Sequence, residues 1–214
     1  MPAKYTFYYF GGRGRGETVR QMLHLGGVQW EDVRFEKPEW DAGIKAQMPL
    51  GKCPMLVIED GQSVTRISES HAIIRYLARC WGYAGESLLD QCYVDQVADA
   101  VEDQIVRNCV MIRREQDPVR KEERIKLFAD EQLPTILGHL ETKLKQNKGG
   151  DGYFVGDSMT WCDMLFTHWV SWVPDGVKVT PPMDQYPKLK ALCERVESHP
   201  KIAEWLKKRP VTDL

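Results

Sequence analysis

Six cysteines, Cys53, Cys80, Cys92, Cys109, Cys162 and Cys193, are the strongest nucleophiles in this 214-residue chain, and their spacing argues against most cysteine chemistry. No two form a CxxC pair, and the turn after the first predicted strand contains none. A chain of this length needs no disulfide staples, so free thiols in a reducing compartment are expected rather than thiol-disulfide exchange. The five histidines, His24, His71, His139, His168 and His199, make no HxxxH pair and no Cys/His cluster, so no metal centre is expected. The run Gly11-Gly12-Arg13-Gly14-Arg15-Gly16 looks rich enough in glycine and charge to cradle a phosphate. It matches neither G-x-G-x-x-G nor the P-loop, because Glu17 stands in the place of the last glycine of the first pattern. Phenols remain, Tyr8 and Tyr9 just before that run, together with an acidic series, Asp95, Asp99 and Asp103 with Glu102 beside them. A tyrosine hydroxyl can donate a hydrogen bond that stabilises an anion, but on the residues alone an ordinary strand aromatic is the favoured reading. Like charges four apart on a helix each cost a few tenths of a kcal/mol, so the acidic series is either a solvated face or a face met by countercharge.

The alternating aromatic segment Lys4 to Phe10 predicts a half-buried strand, and Val19, Met22, Leu23 and Leu25 predict a helix over Glu17 to Leu25 that Gly26-Gly27 ends. A second short strand is predicted around Gln29 to Phe35. After an irregular stretch, Met55 to Ile58 and Ser63 to Ile67 form a hairpin around Glu59-Asp60-Gly61, opened by Pro54. From Ser68 the stripe Ile73, Ile74, Leu77 and Ala78 predicts a helix stopping near Trp81-Gly82. Beyond residue 88 strand signals nearly vanish. Val94, Val97, Ala98, Val101, Ile105, Cys109 and Ile112 mark one long amphipathic helix, and Ile125, Phe128, Leu133, Ile136, Leu137, Leu140 and Leu144 a second. Gly149 to Gly152 breaks that helix, and Thr160-Trp161-Cys162-Asp163 has the spacing of a cap for a third.

Twenty-nine Lys and Arg against thirty-one Asp and Glu leave a formal charge of -2, without the basic excess that nucleic-acid binding requires. No segment approaches the roughly 20 apolar residues of a membrane span, and the first residues lack the pattern of an export signal, so a cytoplasmic protein with no membrane partner is expected.

The run Tyr5 to Glu17 resembles the opening strand and turn of the sigma-class glutathione transferases and their nematode relatives. Three further segments match that family in order: Leu50 to Leu56, Glu69 to Ile73, and Val155 to Asp163. The resemblance implies a thioredoxin-like α+β domain over residues 1–80, a linker at 81–87, and an all-α domain over 88–214 that completes a hydrophobic substrate site. It also implies a homodimer that takes glutathione as co-substrate and joins its thiolate to hydrophobic electrophiles.

By the same resemblance Tyr9 donates to the thiol and Arg15 adds charge and a donor, although Arg15 also reads as a solvated turn residue. Pro54 is implied to be cis, turning the backbone of Cys53 toward the tripeptide. Glu69 and Ser70 meet its γ-glutamyl end, where this chain carries glutamate in place of the usual glutamine. Trp40, Lys45 and Lys52 meet the glycine end, with the Trp40 to Pro49 spacing one residue longer than the family's. Asp103 is implied to reach the glutathione of the other subunit, with Arg75 and Arg79 as countercharge. Phe10, Gly12, Val110, Leu165 and Trp169 are implied to line the hydrophobic cleft. Vertebrate sigma enzymes that isomerise prostaglandin H have tryptophan at the place of Val110, which counts against that activity. A non-catalytic carrier or structural protein, as the cephalopod lens crystallins of the family are, is the alternative of a different class.

Overall fold

The computed structural model describes residues 2–212; Met1, Asp213 and Leu214, which close the expected domains at their ends, lie outside the described residues. The aromatic alternation of the first segment folds as strand β1, Lys4–Phe10, which buries Phe7 completely. A 3-10 turn, Gly14–Gly16, leads into helix α1, Glu17–Gly26, and Gly27 closes that helix at a φ of 65°, a left-handed value that suits glycine. Strand β2, Trp30–Phe35, runs parallel to β1, with Tyr5 opposite Trp30 and Phe10 opposite Phe35. The hairpin β3, Met55–Glu59, and β4, Val64–Ser68, pairs antiparallel, and β3 also pairs antiparallel with β1. The sheet order is β2-β1-β3-β4, and helix α2, Ser70–Trp81, follows it. The stretch between β2 and β3 is more ordered than the sequence suggests. It holds short helical turns at Lys37–Glu39, Trp40–Ile44 and Lys45–Gln47, the first capped by Glu36 and Glu39.

After residue 81 the chain is helical. Helix α3, Leu88–Val101, begins in a capping box formed by Ser87 and Asp90 and passes through a π turn, Glu102–Val106, into α4, Arg107–Arg114. Helix α5, Pro118–Leu127, passes through a second π turn, Phe128–Gln132, into α6, Leu133–Gln146. Each expected long helix is therefore two α segments joined by a wider turn. The apolar stripes read from the sequence are buried along both, except Ile125, which is half-buried. Helix α7, Trp161–Val177, is buried on nearly every side. Helices α8, Pro187–Glu197, and α9, Pro200–Lys208, complete the chain; neither was read from the sequence, although each starts with the proline that favours the first helical position.

The chain divides into two compact units at residues 81 and 82, so that residues 82–87 of the expected linker cluster with the second unit. Residues 200–212 of the expected 88–214 domain, which include α9, cluster with the first unit. The reason is local to α1: Trp205 Nε1 and Arg209 Nη1 donate to Glu17 Oε1 at 2.9 and 2.8 Å, and Lys201 Nζ donates to the Leu25 carbonyl at 2.7 Å. In the second unit, Asp163 caps α7: its Oδ2 accepts from the Thr160 amide and hydroxyl, and its Oδ1 from the Phe154 amide at 2.9 Å.

Candidate functional site

Tyr9 is the last-but-one residue of β1, where β1 has run past its pairing with β3 and only β2 still flanks it. Its ring stacks near Phe7, with centroids 6.4 Å apart, and meets Phe10 edge-on at 6.0 Å. Two glycines of the following turn make room for it. A Cβ on Gly16 would sit 2.3 Å from the ring, and one on Gly14, whose φ is +36°, would sit 2.8 Å from the hydroxyl. Any larger residue at either place would displace the phenol.

The Tyr9 hydroxyl oxygen accepts a hydrogen bond from the Arg15 backbone N–H at 3.1 Å. Desolvation pushes the phenol above its ordinary pKa, and the Cys53 thiol nearby adds to that; the Arg15 amide and the charges of Arg15 and Arg20 pull it back. The group is thus a neutral hydroxyl at physiological pH, polarised by an amide and retaining its own proton to donate. Such a group stabilises an anion placed beside it without itself ionising. Arg15 contributes its backbone donor directly and its side-chain charge at longer range.

The Cys53–Pro54 peptide bond is cis. Cys53 is half-buried against Phe35, Trp40, Met48, Met55 and Val57, and burial pushes its thiol up to about 11. It is a neutral thiol at pH 7 and no nucleophile in its own right. Tyr8 faces that same cluster, on the opposite side of the strand from Tyr9. Glu69 has a φ of 72° directly before α2, a left-handed conformation that costs a non-glycine residue on the order of 1 kcal/mol. Its carbonyl accepts from the Ile73 amide at 2.9 Å, and Ser70 is the half-buried first residue of the helix.

The other expected residues are distributed as follows. Trp40 is buried, stacked on Phe35 at 5.6 Å and tilted against Phe10 at 5.5 Å, so its ring belongs to the core of the first unit. Lys45 and Lys52 are exposed. Phe10 and Gly12 are half-buried in the first unit, and Phe10 packs 4.9 Å from Phe35. In the second unit Val110 is half-buried and Asp103 exposed, whereas Leu165 and Trp169 are buried, Trp169 packing 5.0 Å from Trp172. Tyr9, Arg15, Phe10 and Cys53 are brought together; the two lysines are not placed in contact with them. Among the described residues, no group of three or more His, Cys, Asp or Glu side chains is arranged to hold a metal, and no helix is long and apolar enough to cross a membrane.

The sequence reading missed Glu17, Arg20, Asp32 and Arg34, which surround the turn after Tyr9. Arg20 is fully buried, and its Nη2 and Nη1 donate to the carbonyls of Phe10 and Gly12 at 3.0 and 2.8 Å. The available signals were the Glu17/Arg20 pair three apart on α1 and the Asp32/Arg34 pair two apart on one face of β2.

The model of the glutathione S-transferase N-terminal domain matches residues 16–80, and that of the glutathione S-transferase C-terminal domain matches residues 102–209. The chain belongs to the glutathione S-transferase family. S-crystallin SL11 of Nototodarus sloanii is 39% identical over 209 residues, covering 98% of both chains. Hematopoietic prostaglandin D synthase of Gallus gallus is 35% identical, with both chains fully covered. Among solved structures, NaGST-2 is similar with a TM-score of 0.85 at 32% identity, and a Nu-class transferase from Haemonchus contortus with 0.82 at 32%, each covering 100% of both chains. The thioredoxin-like α+β domain followed by an all-α domain is the architecture of this transferase family.

Proposed function

We propose that this transferase-family chain is a cytoplasmic, sigma-type glutathione transferase that joins glutathione to hydrophobic electrophiles, with Tyr9 as the thiol activator. The observation that carries the reading is the Tyr9 hydroxyl accepting from the Arg15 amide, which leaves its proton to face a substrate sulfur. A free thiol has a pKa of about 8.5, so only a few per cent is thiolate at neutral pH. A hydrogen bond to a charged group contributes about 1.5–3 kcal/mol, which lowers that value by roughly one to two units and raises thiolate from a few per cent to between about a quarter and about three quarters at pH 7. The thiol proton leaves to solvent, the sulfur lone pair forms the new carbon–sulfur bond, and the electrophile's leaving group departs with the electrons of the bond it breaks.

Glutathione is then held by the backbone of Cys53 before cis Pro54, by Glu69 and Ser70 at its γ-glutamyl end, where the positive end of α2 suits a carboxylate, and by Trp40, Lys45 and Lys52 at its glycine end. Asp103 serves the second subunit. Support for a dimer comes from large apolar side chains left open in each unit, Leu50 and Tyr76 in the first and Leu88, Leu89 and Tyr93 in the second. The hydrophobic substrate is assigned to Phe10, Gly12, Val110, Leu165 and Trp169.

Two further readings have specific support. A relative named hematopoietic prostaglandin D synthase favours isomerisation of prostaglandin H, and Val110 in place of tryptophan counts against it. A relative named S-crystallin favours a non-catalytic role. Assay of purified protein with glutathione and a chloronitrobenzene acceptor separates the transferase reading from the non-catalytic one. Turnover that drops at least tenfold in Tyr9→Phe supports the transferase reading, whereas glutathione binding without turnover supports the non-catalytic one.

A further inference from the structure

Each of the three nitrogens of the Arg20 guanidinium donates a hydrogen bond, although the side chain has no solvent-exposed surface. Nη2 holds the Phe10 carbonyl at 3.0 Å, Nη1 the Gly12 carbonyl at 2.8 Å, and Nε donates to Asp32 Oδ1 at 3.1 Å. Nη1 also lies 3.7 Å from Glu17 Oε2. Arg34 holds the residue in between: its Nη1 donates to the Gly11 carbonyl and its Nε to Asp32 Oδ2, both at 2.7 Å. Three consecutive carbonyls directly after Tyr9 are therefore each gripped by an arginine, and one carboxylate bridges the two arginines. Buried ion pairs contribute little net stability compared with apolar residues of the same volume, so stability alone does not account for such an arrangement. The guanidinium carbon also lies 5.6 Å from the Tyr9 ring centroid.

We propose that Arg20 is a positioning residue for Tyr9: with Arg34 and the bridging Asp32 it fixes the Phe10, Gly11 and Gly12 carbonyls, and through them the approach of the Arg15 N–H to the Tyr9 hydroxyl. As a mechanism for catalysis this rests on Tyr9 being the thiol donor. Lysine in place of Arg20 keeps a positive charge but lacks the planar fork, and cannot hold Asp32 and two carbonyls at once. The turn is then free to draw the Arg15 amide away from the phenol, and the charge beside the ring retreats. Glu17 carries the same frame to α9 through Trp205 and Arg209.

Incorporating 3,5-difluorotyrosine at position 9 brings the phenol into an accessible titration range, and fluorine NMR reads its ionisation beside Arg15, Arg20 and Cys53. In otherwise unaltered protein, Arg20→Lys should raise that pKa by about one unit, the loss of one amide contact to the charged form. Arg34→Lys, which disturbs only the Gly11 carbonyl and Asp32, should raise it by about a third as much. A residue that merely supports folding would lower the melting temperature and leave the titration in place. That result in a folded Arg20→Lys protein overturns the proposal, and if Arg20→Lys does not fold, Arg34→Lys decides by the same criterion. Titration of glutathione bound to the same variants carrying natural tyrosine separates the two claims. A shifted phenol with an unshifted glutathione thiol upholds the positioning role and removes Tyr9 as the thiol donor.

Discussion

The turn after Tyr9 and the cap of α7 both bury charged side chains, and they neutralise them differently. Arg20 is met by two carboxylates and two carbonyls, so its charge persists in the interior. Asp163 is met only by neutral donors, the Phe154 and Thr160 amides and the Thr160 hydroxyl. Desolvation wins there, and the carboxyl is pushed up to about 6 despite those bonds. A buried charge with countercharges can serve a site by holding a field in place; one with dipoles alone ties a helix end and becomes sensitive to pH. The first arrangement is functional architecture in our reading, and the second is structural.

Breaking the cap should give the largest effect. Asp163→Ala leaves three donors without their acceptor, at about 1–3 kcal/mol each when buried, so a loss of about 3 kcal/mol or more is expected in denaturant unfolding. The rate per folded molecule should not change, and a large drop in kcat at full folding would erase the contrast between the two regions.

The same carboxyl should show in the pH dependence. Its folded pKa lies above the unfolded value, so the folded state binds the proton more tightly. Its contribution is then fullest below about pH 4 and declines as pH rises through about 6, by up to about 3 kcal/mol. Asp163→Asn lowers stability by a constant amount, because its amide faces the Thr160 N–H, but it should remove that slope between pH 4 and 6. An unchanged slope would place the titration elsewhere.

Gly16→Ala probes the other region. A Cβ 2.3 Å from the Tyr9 ring forces the phenol to move. Overpacking of this kind costs about 1–3 kcal/mol, and conjugation should fall by more than the folded fraction does. Equal losses in both would mean that the position of the ring is immaterial to turnover. The smallest effect is expected at Glu69→Gly, where relief of the left-handed backbone should stabilise by up to about 1 kcal/mol. If Glu69 also faces the substrate amine, glutathione affinity measured by calorimetry should fall as the melting temperature rises.

The elements around Tyr9 were legible because their signals are local. Aromatic alternation in β1, the glycine pair ending α1 and the turn residues between β3 and β4 each act within a few positions. The partner of Glu17 was not legible, since Trp205 and Arg209 lie 188 and 192 residues away and only tertiary packing joins them. Arg20 was not legible for a related reason: on an amphipathic helix a charged residue ordinarily belongs to the wet face, and its burial depends on Asp32 and on carbonyls that the helix pattern does not contain. The chemistry of Tyr9 came from likeness to a family, because period-two alternation puts Tyr8 and Tyr9 on opposite faces of the strand without marking which face carries the chemistry. The glycines at 14 and 16 separate them, and their meaning appears only once the ring is seen lying over the turn.

The most direct test follows the thiolate absorbance of bound glutathione against pH in the unaltered protein, Tyr8→Phe and Tyr9→Phe. Removing the Tyr9 hydroxyl should raise the thiol pKa by about one to two units while Tyr8→Phe leaves it in place. The same pKa in all three proteins would contradict activation by Tyr9.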